Sequence, residues 1–148
     1  MMLKTILALG AGVALYFMPH VNNKLIFLPI VIISSLIPEI GMLIKMKPEL
    51  FARTQNSNFI DKILKNYIVC ILASVILAFS YSMFALPFFL GYSFTLSLNA
   101  FSKEGIQPFW PLTSKKTSGS IVTGGGIERT LFYVFLVFDI ALLVKLFL

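Results

Sequence analysis

Leu131-Phe132-Tyr133-Val134-Phe135-Leu136-Val137-Phe138-Asp139-Ile140-Ala141-Leu142-Leu143-Val144-Lys145-Leu146-Phe147-Leu148 is apolar throughout except for one acid, one lysine and a tyrosine. A helix needs roughly 20 predominantly apolar residues to cross a bilayer, and this run comes near that length. Four further apolar segments lie upstream: 3–18, 25–46 (interrupted by Pro38-Glu39), 67–84 and 87–101. Together they predict an all-α integral membrane bundle of about five short transmembrane helices in a single domain, 1–148. The shorter segments are expected to thin the bilayer locally or to end in its interface.

Composition points the same way. Of 148 residues, 58% are hydrophobic and only 12% charged, and the mean hydropathy is +0.93. Soluble domains carry about 25% charged residues, so lipid must replace part of the water around this chain. The net charge of +6 would suggest nucleic acid in a soluble protein. Here the basic residues are spread over several loops and form no stripe, which excludes that partner. The expected partners are the lipid bilayer and another protein in the membrane. Cys70 is the single cysteine, which excludes an intrachain disulfide and any multi-cysteine metal site; it reads as a small buried hydrophobe. Residues 1–18 look like a signal peptide, but Tyr16-Phe17-Met18-Pro19 stands where a small-x-small cleavage site belongs. They are read as a retained first helix.

Charge sets the expected topology. The loop 47–65 and its flank carry Lys45, Lys47, Arg53, Lys62 and Lys65, and the loop 102–128 and its flank carry Lys103, Lys115, Lys116 and Arg129. Two helices separate these loops, so both belong on one side, which the positive-inside rule makes the cytoplasm. The N-terminus with Lys4 is then cytoplasmic and the C-terminus outside. Joining the third and fourth segments into one span would instead put the basic loops on opposite sides. Segment 47–65 reads either as a surface-lying, partly helical stretch or as a solvated loop. In 102–128, Trp110 looks interfacial. The glycines at 124–126 read as a flexible turn, and Glu128 falls in the first turn of the last helix, where a carboxylate suits the helix dipole.

Three stretches carry a family resemblance: Leu36-Ile37-Pro38-Glu39-Ile40; the block from Gly91-Tyr92 through Thr95, Asn99, Glu104 and Gly105 to Pro108-Phe109-Trp110-Pro111; and Thr123-Gly124-Gly125-Gly126-Ile127-Glu128. The chain resembles, over roughly residues 5–138, the bacterial inner-membrane family of predicted metal-dependent hydrolases, some described as regulated by the SOS repressor LexA. Gly91, Tyr92, Gly105, Pro108, Trp110, Pro111 and Glu128 are the scaffold part of the pattern. The family pattern has a His opening the first helix, Leu-Pro-Asp-x-Asp ending the second, His-Arg-Gly-x-Thr-His-Ser opening the third, and Gly-Tyr-x-Ser-His-x-x-x-Asp closing the fourth. Those His and Asp residues look like ligands of a divalent metal that would activate water.

In this chain the corresponding positions are Thr5, Glu39, Gly41, Asp61, Asn66, Thr95 and Asn99. No imidazole remains among them, and the only histidine, His20, is expected at the opposite membrane face. The resemblance therefore implies a non-catalytic integral membrane protein on a hydrolase scaffold, a structural or binding subunit of a membrane assembly in the bacterial inner membrane, with no cofactor. The alternative is an active membrane-bound hydrolase at the cytoplasmic interface, with Mg²⁺ or Mn²⁺ on Glu39, Asp61 and Glu104. Asp139 stands apart. An acid in a bilayer core is costly and is usually paired or functional; three readings are open: a protonated acid, a bond to Ser, Thr or Tyr on a neighbouring helix, such as Ser74 or Tyr81, or a basic group on another subunit.

Overall fold

A computed structural model of the chain describes residues 3–41 and 57–148. Among them are six α-helices: α1 (Leu3–Phe17), α2 (Lys24–Leu36), α3 (Ser57–Leu64), α4 (Tyr67–Ser80), α5 (Ser82–Ala100) and α6 (Gly126–Phe147). No β-strand occurs among the described residues; two isolated bridges, Ser102 with Ile121 and Ile106 with Thr117, fold the connection between α5 and α6 back on itself.

Local chemistry sets the helix ends. Both α1 and α2 run into 3-10 turns whose second residue is proline, Met18–His20 and Ile37–Glu39. A proline lacks the N–H that would continue the α-ladder, and its ring crowds the preceding turn. The second apolar segment, expected to reach residue 46, therefore leaves the α-helix at Leu36; residues 42–46, and with them 47–56 of the first basic loop, lie outside the described residues. Helix α4 opens on Asn66, whose side-chain oxygen accepts from Ile68 N at 2.8 Å, as an N-cap does. The third and fourth segments meet at Tyr81 alone, because α5 begins at Ser82 rather than Pro87. Pro87 sits inside α5 and gives up one ladder bond, to the Met83 carbonyl.

Paired residues give the helix directions. Along α1 and α6, Lys4 lies over the Phe132 ring, Gly12 meets Asp139, and Tyr16 and His20 share a cleft with Leu142 and Lys145. The two helices run parallel. Along α2 and α5, Asn23 donates to Met83 Sδ, Ser34 to the Pro87 carbonyl, and Glu39 accepts from Asn99, so these also run parallel. Helix α4 packs antiparallel on α5, with Tyr67 hydroxyl 2.7 Å from Ser97 Oγ. A Cβ at Gly91 would run into the Val31 carbonyl and Ser34 Oγ, which shows how near α2 and α5 approach. Small residues at such crossings are how apolar helices pack without a hydrophobic driving force. The interior holds Val13, Ala14, Phe27, Val31 and Leu90 in one cluster and Cys70, Tyr92, Leu96 and Ile106 in another.

The outer faces are apolar. On α4, Phe79 is 87% exposed, with Ile71, Leu72, Val75 and Ile76 beside it; on α6, Tyr133, Val134, Val137, Ile140 and Val144 are exposed. A water-soluble monomer does not carry such a surface. Three helical stretches are long and apolar enough to cross a membrane, Leu3–His20, Ser82–Ala100 and Gly126–Phe147. Helix α2 has 13 residues and α4 has 14; at 1.5 Å per residue each reaches only about 20 Å.

The ends of the helices differ. Lys4, Lys62, Lys65, the 102–125 connection and Arg129 gather at one end, whereas His20, Asn22, Asn23 and Ser82 line a cleft at the other and Lys145 joins His20 there. The described parts of both basic loops thus share one end, and α4 and α5 are separate antiparallel helices rather than a single span.

Candidate functional site

The basic end contains a buried polar corner. The 3-10 turn after α2 delivers Glu39, and the last turns of α5 deliver Thr95 and Asn99 from one helix face, four residues apart. Glu39 is 1% exposed and Asn99 3%. Asn99 Nδ2 donates to Glu39 Oε1 at 2.5 Å. Among the described residues, Glu39 Oε2 is buried without a hydrogen-bond partner, as is the hydroxyl of Thr5 in the first turns of α1. Thr95 Oγ1 donates to the Gly91 carbonyl of its own helix at 3.0 Å. A Cβ at Gly41 would come within 2.7 Å of Asp61 Oδ1, so the chain leaving the 3-10 turn packs directly on α3. Asp61 forms an ion pair with Lys65 at 3.4 Å.

The positions singled out in the sequence thus fall into separate arrangements. Glu39 and Asn99 meet, and Gly41 and Asp61 meet. Asn66 is occupied as the α4 N-cap and donates from Nδ2 to the Trp110 carbonyl. Glu104 is on the exposed connection and accepts from Thr123 Oγ1 at 3.4 Å. It shares a cleft with Asp61, but Glu39 is not in it. Among the described residues no three His, Cys, Asp or Glu side chains are grouped to hold a metal. The corner offers one buried carboxylate with amides and hydroxyls, which does not suit a transition metal.

The scaffold residues hold the connection against α3 and α4. Tyr92 hydroxyl donates to the Leu64 carbonyl at 2.6 Å, Tyr67 N donates to the Pro108 carbonyl at 3.0 Å, and the Trp110 ring meets Phe59 edge-on at 5.5 Å. The Trp110-Pro111 peptide is cis, and Gly105 has φ +64, a left-handed conformation that favours glycine. Glu128, 1% exposed, accepts from Gly124 N at 2.6 Å, so its carboxylate closes the turn that starts α6.

Asp139 has a different neighbour from those expected. Ser74 donates to the Cys70 carbonyl of its own helix, and Tyr81 is 65% exposed. Helix α6 packs on α1, not α4, which brings Asp139 Oδ1 against Gly12. That oxygen is buried with no hydrogen-bond partner and borders a cavity of about 260 Å³ between α1, α5 and α6, lined by Leu9, Phe94, Phe135 and Phe138 among others. Among the buried polar residues, the serines of α2 are outside the positions singled out in the sequence. Ser34 and Ser35 are buried and bond backward to Val31 and Ile32 carbonyls; Lys65 is buried, and Gln107 Oε1 has no donor. The signal for the serines was there: Ser34-Ser35 and Gly10-x-Gly12 are the small residues of two apolar helices, and a Cβ at Gly10 would meet Ser35 Oγ at 2.8 Å.

Set against known proteins, the chain matches no family model, no curated protein and no solved structure.

Proposed function

We propose that this chain is a non-catalytic integral membrane protein, a structural or binding subunit of a membrane assembly, built on the scaffold of the predicted metal-dependent hydrolases it resembles. The observation that carries this reading is the closed corner: Glu39 and Asn99 are sealed from solvent and bonded to each other. A hydrolytic centre needs access for water and substrate. All five apolar helices lie in the bilayer of a bacterial inner membrane, with α2 and α4 as short spans. The basic end faces the cytoplasm, following the positive-inside rule, which puts the N-terminus inside and the C-terminus outside. A protein partner contacts the α1–α6 face, where the half-buried Asp139 side chain supplies an acid worth satisfying in lipid.

Purification in mild detergent tests this. Wild type is expected to bring down a membrane protein in fixed ratio, Glu39→Gln to bring it down equally, and Asp139→Leu to lose it. Loss of cellular function in Glu39→Gln with assembly intact would defeat the reading and favour a hydrolase using the free Glu39 oxygen.

A further inference from the structure

We propose that the cleft between α3 and the 102–121 connection binds an anionic phosphodiester headgroup that also carries free hydroxyls, the headgroup of a membrane lipid. The proposal concerns binding alone and does not rest on whether the neighbouring Glu39 corner is catalytic.

The cleft has a volume of about 300 Å³, and Lys62, Lys65 and Lys116 line it together with Asp61, Glu104 and Gln107. Among the described residues, three ammoniums against two carboxylates leave the lining net positive, the complement of the negative charge on a phosphodiester. The ammoniums differ in their freedom. Lys65 is 7% exposed and held by Asp61. Lys62 and Lys116 form no ion pair among the described residues and are exposed, so their charge is available to a ligand. Lys116 lies across Gly105: a Cβ there would come within 3.1 Å of Lys116 Cε.

A phosphate alone would leave part of this cleft unsatisfied. Gln107 Oε1 is buried with no donor among the described residues. It is an acceptor, and the oxygens of a phosphodiester donate nothing. A hydroxyl on the headgroup supplies the missing donor, and an unmet buried acceptor makes it count. The surroundings favour a lipid over a soluble ester. Phe59, Phe109 and Leu112 are exposed beside the cleft, at 48%, 52% and 78%, and Phe59 packs on Trp110. A tryptophan settles at the level of the headgroups, which sets the ammoniums near the depth of lipid phosphates.

The full chain in a neutral detergent is titrated with short-chain phosphatidylglycerol, read by the fluorescence of Trp110, the sole tryptophan, and by native mass spectrometry. Phosphatidylglycerol is expected to bind saturably and phosphatidylcholine not to. Lys62→Gln and Lys116→Gln should each weaken binding about fivefold, while Lys24→Gln at the opposite end leaves it unchanged. Phosphatidylmethanol, a diester without hydroxyls, should bind more weakly to wild type and equally well to Gln107→Leu. Equal binding of phosphatidylcholine, or indifference to both lysine changes, would overturn the site. Displacement of the lipid by an equal concentration of inorganic phosphate would overturn the lipid assignment. No preference between the two diesters would overturn the hydroxyl requirement.

Discussion

Replacing Asn99 with Leu removes the one hydrogen bond that Glu39 receives among the described residues. Leu keeps the branched shape of Asn, so the change falls mainly on the donor. Glu39 Oε1 then joins Oε2 as a buried oxygen without a partner among the described residues, in a side chain 1% exposed. Stranding a buried acceptor costs about 1–3 kcal/mol; we expect Asn99→Leu to destabilise by about 3 kcal/mol. The double variant Glu39→Leu/Asn99→Leu takes away both the donor and its acceptor. Replacing both partners by apolar groups is nearly neutral or stabilising, so the double variant should be at least about 2 kcal/mol more stable than Asn99→Leu alone. Reversible denaturant unfolding in detergent of wild type, Asn99→Leu, Glu39→Leu and the double variant, closed as a double-mutant cycle, measures the coupling directly. If Asn99→Leu unfolds at the wild-type midpoint, or the double variant is worse than either single one, the pair is not what holds this corner together.

Gly91→Ala drives a methyl group into the Val31 carbonyl and Ser34 Oγ; overpacking of this kind costs about 1–3 kcal/mol, and the same unfolding assay should register it, whereas Ala at Gly126, with nothing within 4 Å, should show no clash. Glu128→Ala strips the acceptor from Gly124 N and the negative charge from the start of α6, a loss of about 1–2 kcal/mol that should appear as faster hydrogen exchange at residues 124–128 with the rest of α6 unchanged. Asp139→Leu removes an unpartnered oxygen from an apolar cavity, so the isolated chain should become more stable in detergent, by about 1 kcal/mol, even as partner capture fails; a less stable chain would mean that Asp139 is satisfied within its own bundle.

The apolar segments and the gathering of basic residues were legible because both depend on composition over long windows. Leu131–Leu148 needs no partner to be recognised as a membrane-length helix. What pairs with what was not legible. Helices apolar all round, such as α4 and α6, carry no stripe that says which face meets which neighbour, so the sequence offers Ser74 and Tyr81 among the partners of Asp139 although α6 lies on α1. The joint at Tyr81 was missed because Ser80-Tyr81-Ser82 looks no more like a break than Pro87 does, and Pro87 turns out to be interior to α5. At the candidate site, Thr95 and Asn99 share one helix face, as a four-residue spacing requires. Spacing alone could not say that Asn99 would meet Glu39, sixty residues away, while Thr95 bonds to its own helix. Nor could it separate Glu39 from Asp61 and Glu104: that depends on the 3-10 turn at Ile37–Glu39, which points one carboxylate inward while the other two lie along the cleft beside it.

Elemental analysis of the full chain, purified without chelator from cells supplied with Mg²⁺, Mn²⁺ and Zn²⁺, examines the idea on which the functional proposal stands. A corner filled by its own amide and carboxylate should yield no stoichiometric metal, from wild type or from Glu39→Ala. One ion per wild-type chain, lost in Glu39→Ala, would contradict it and return the chain to the enzymes.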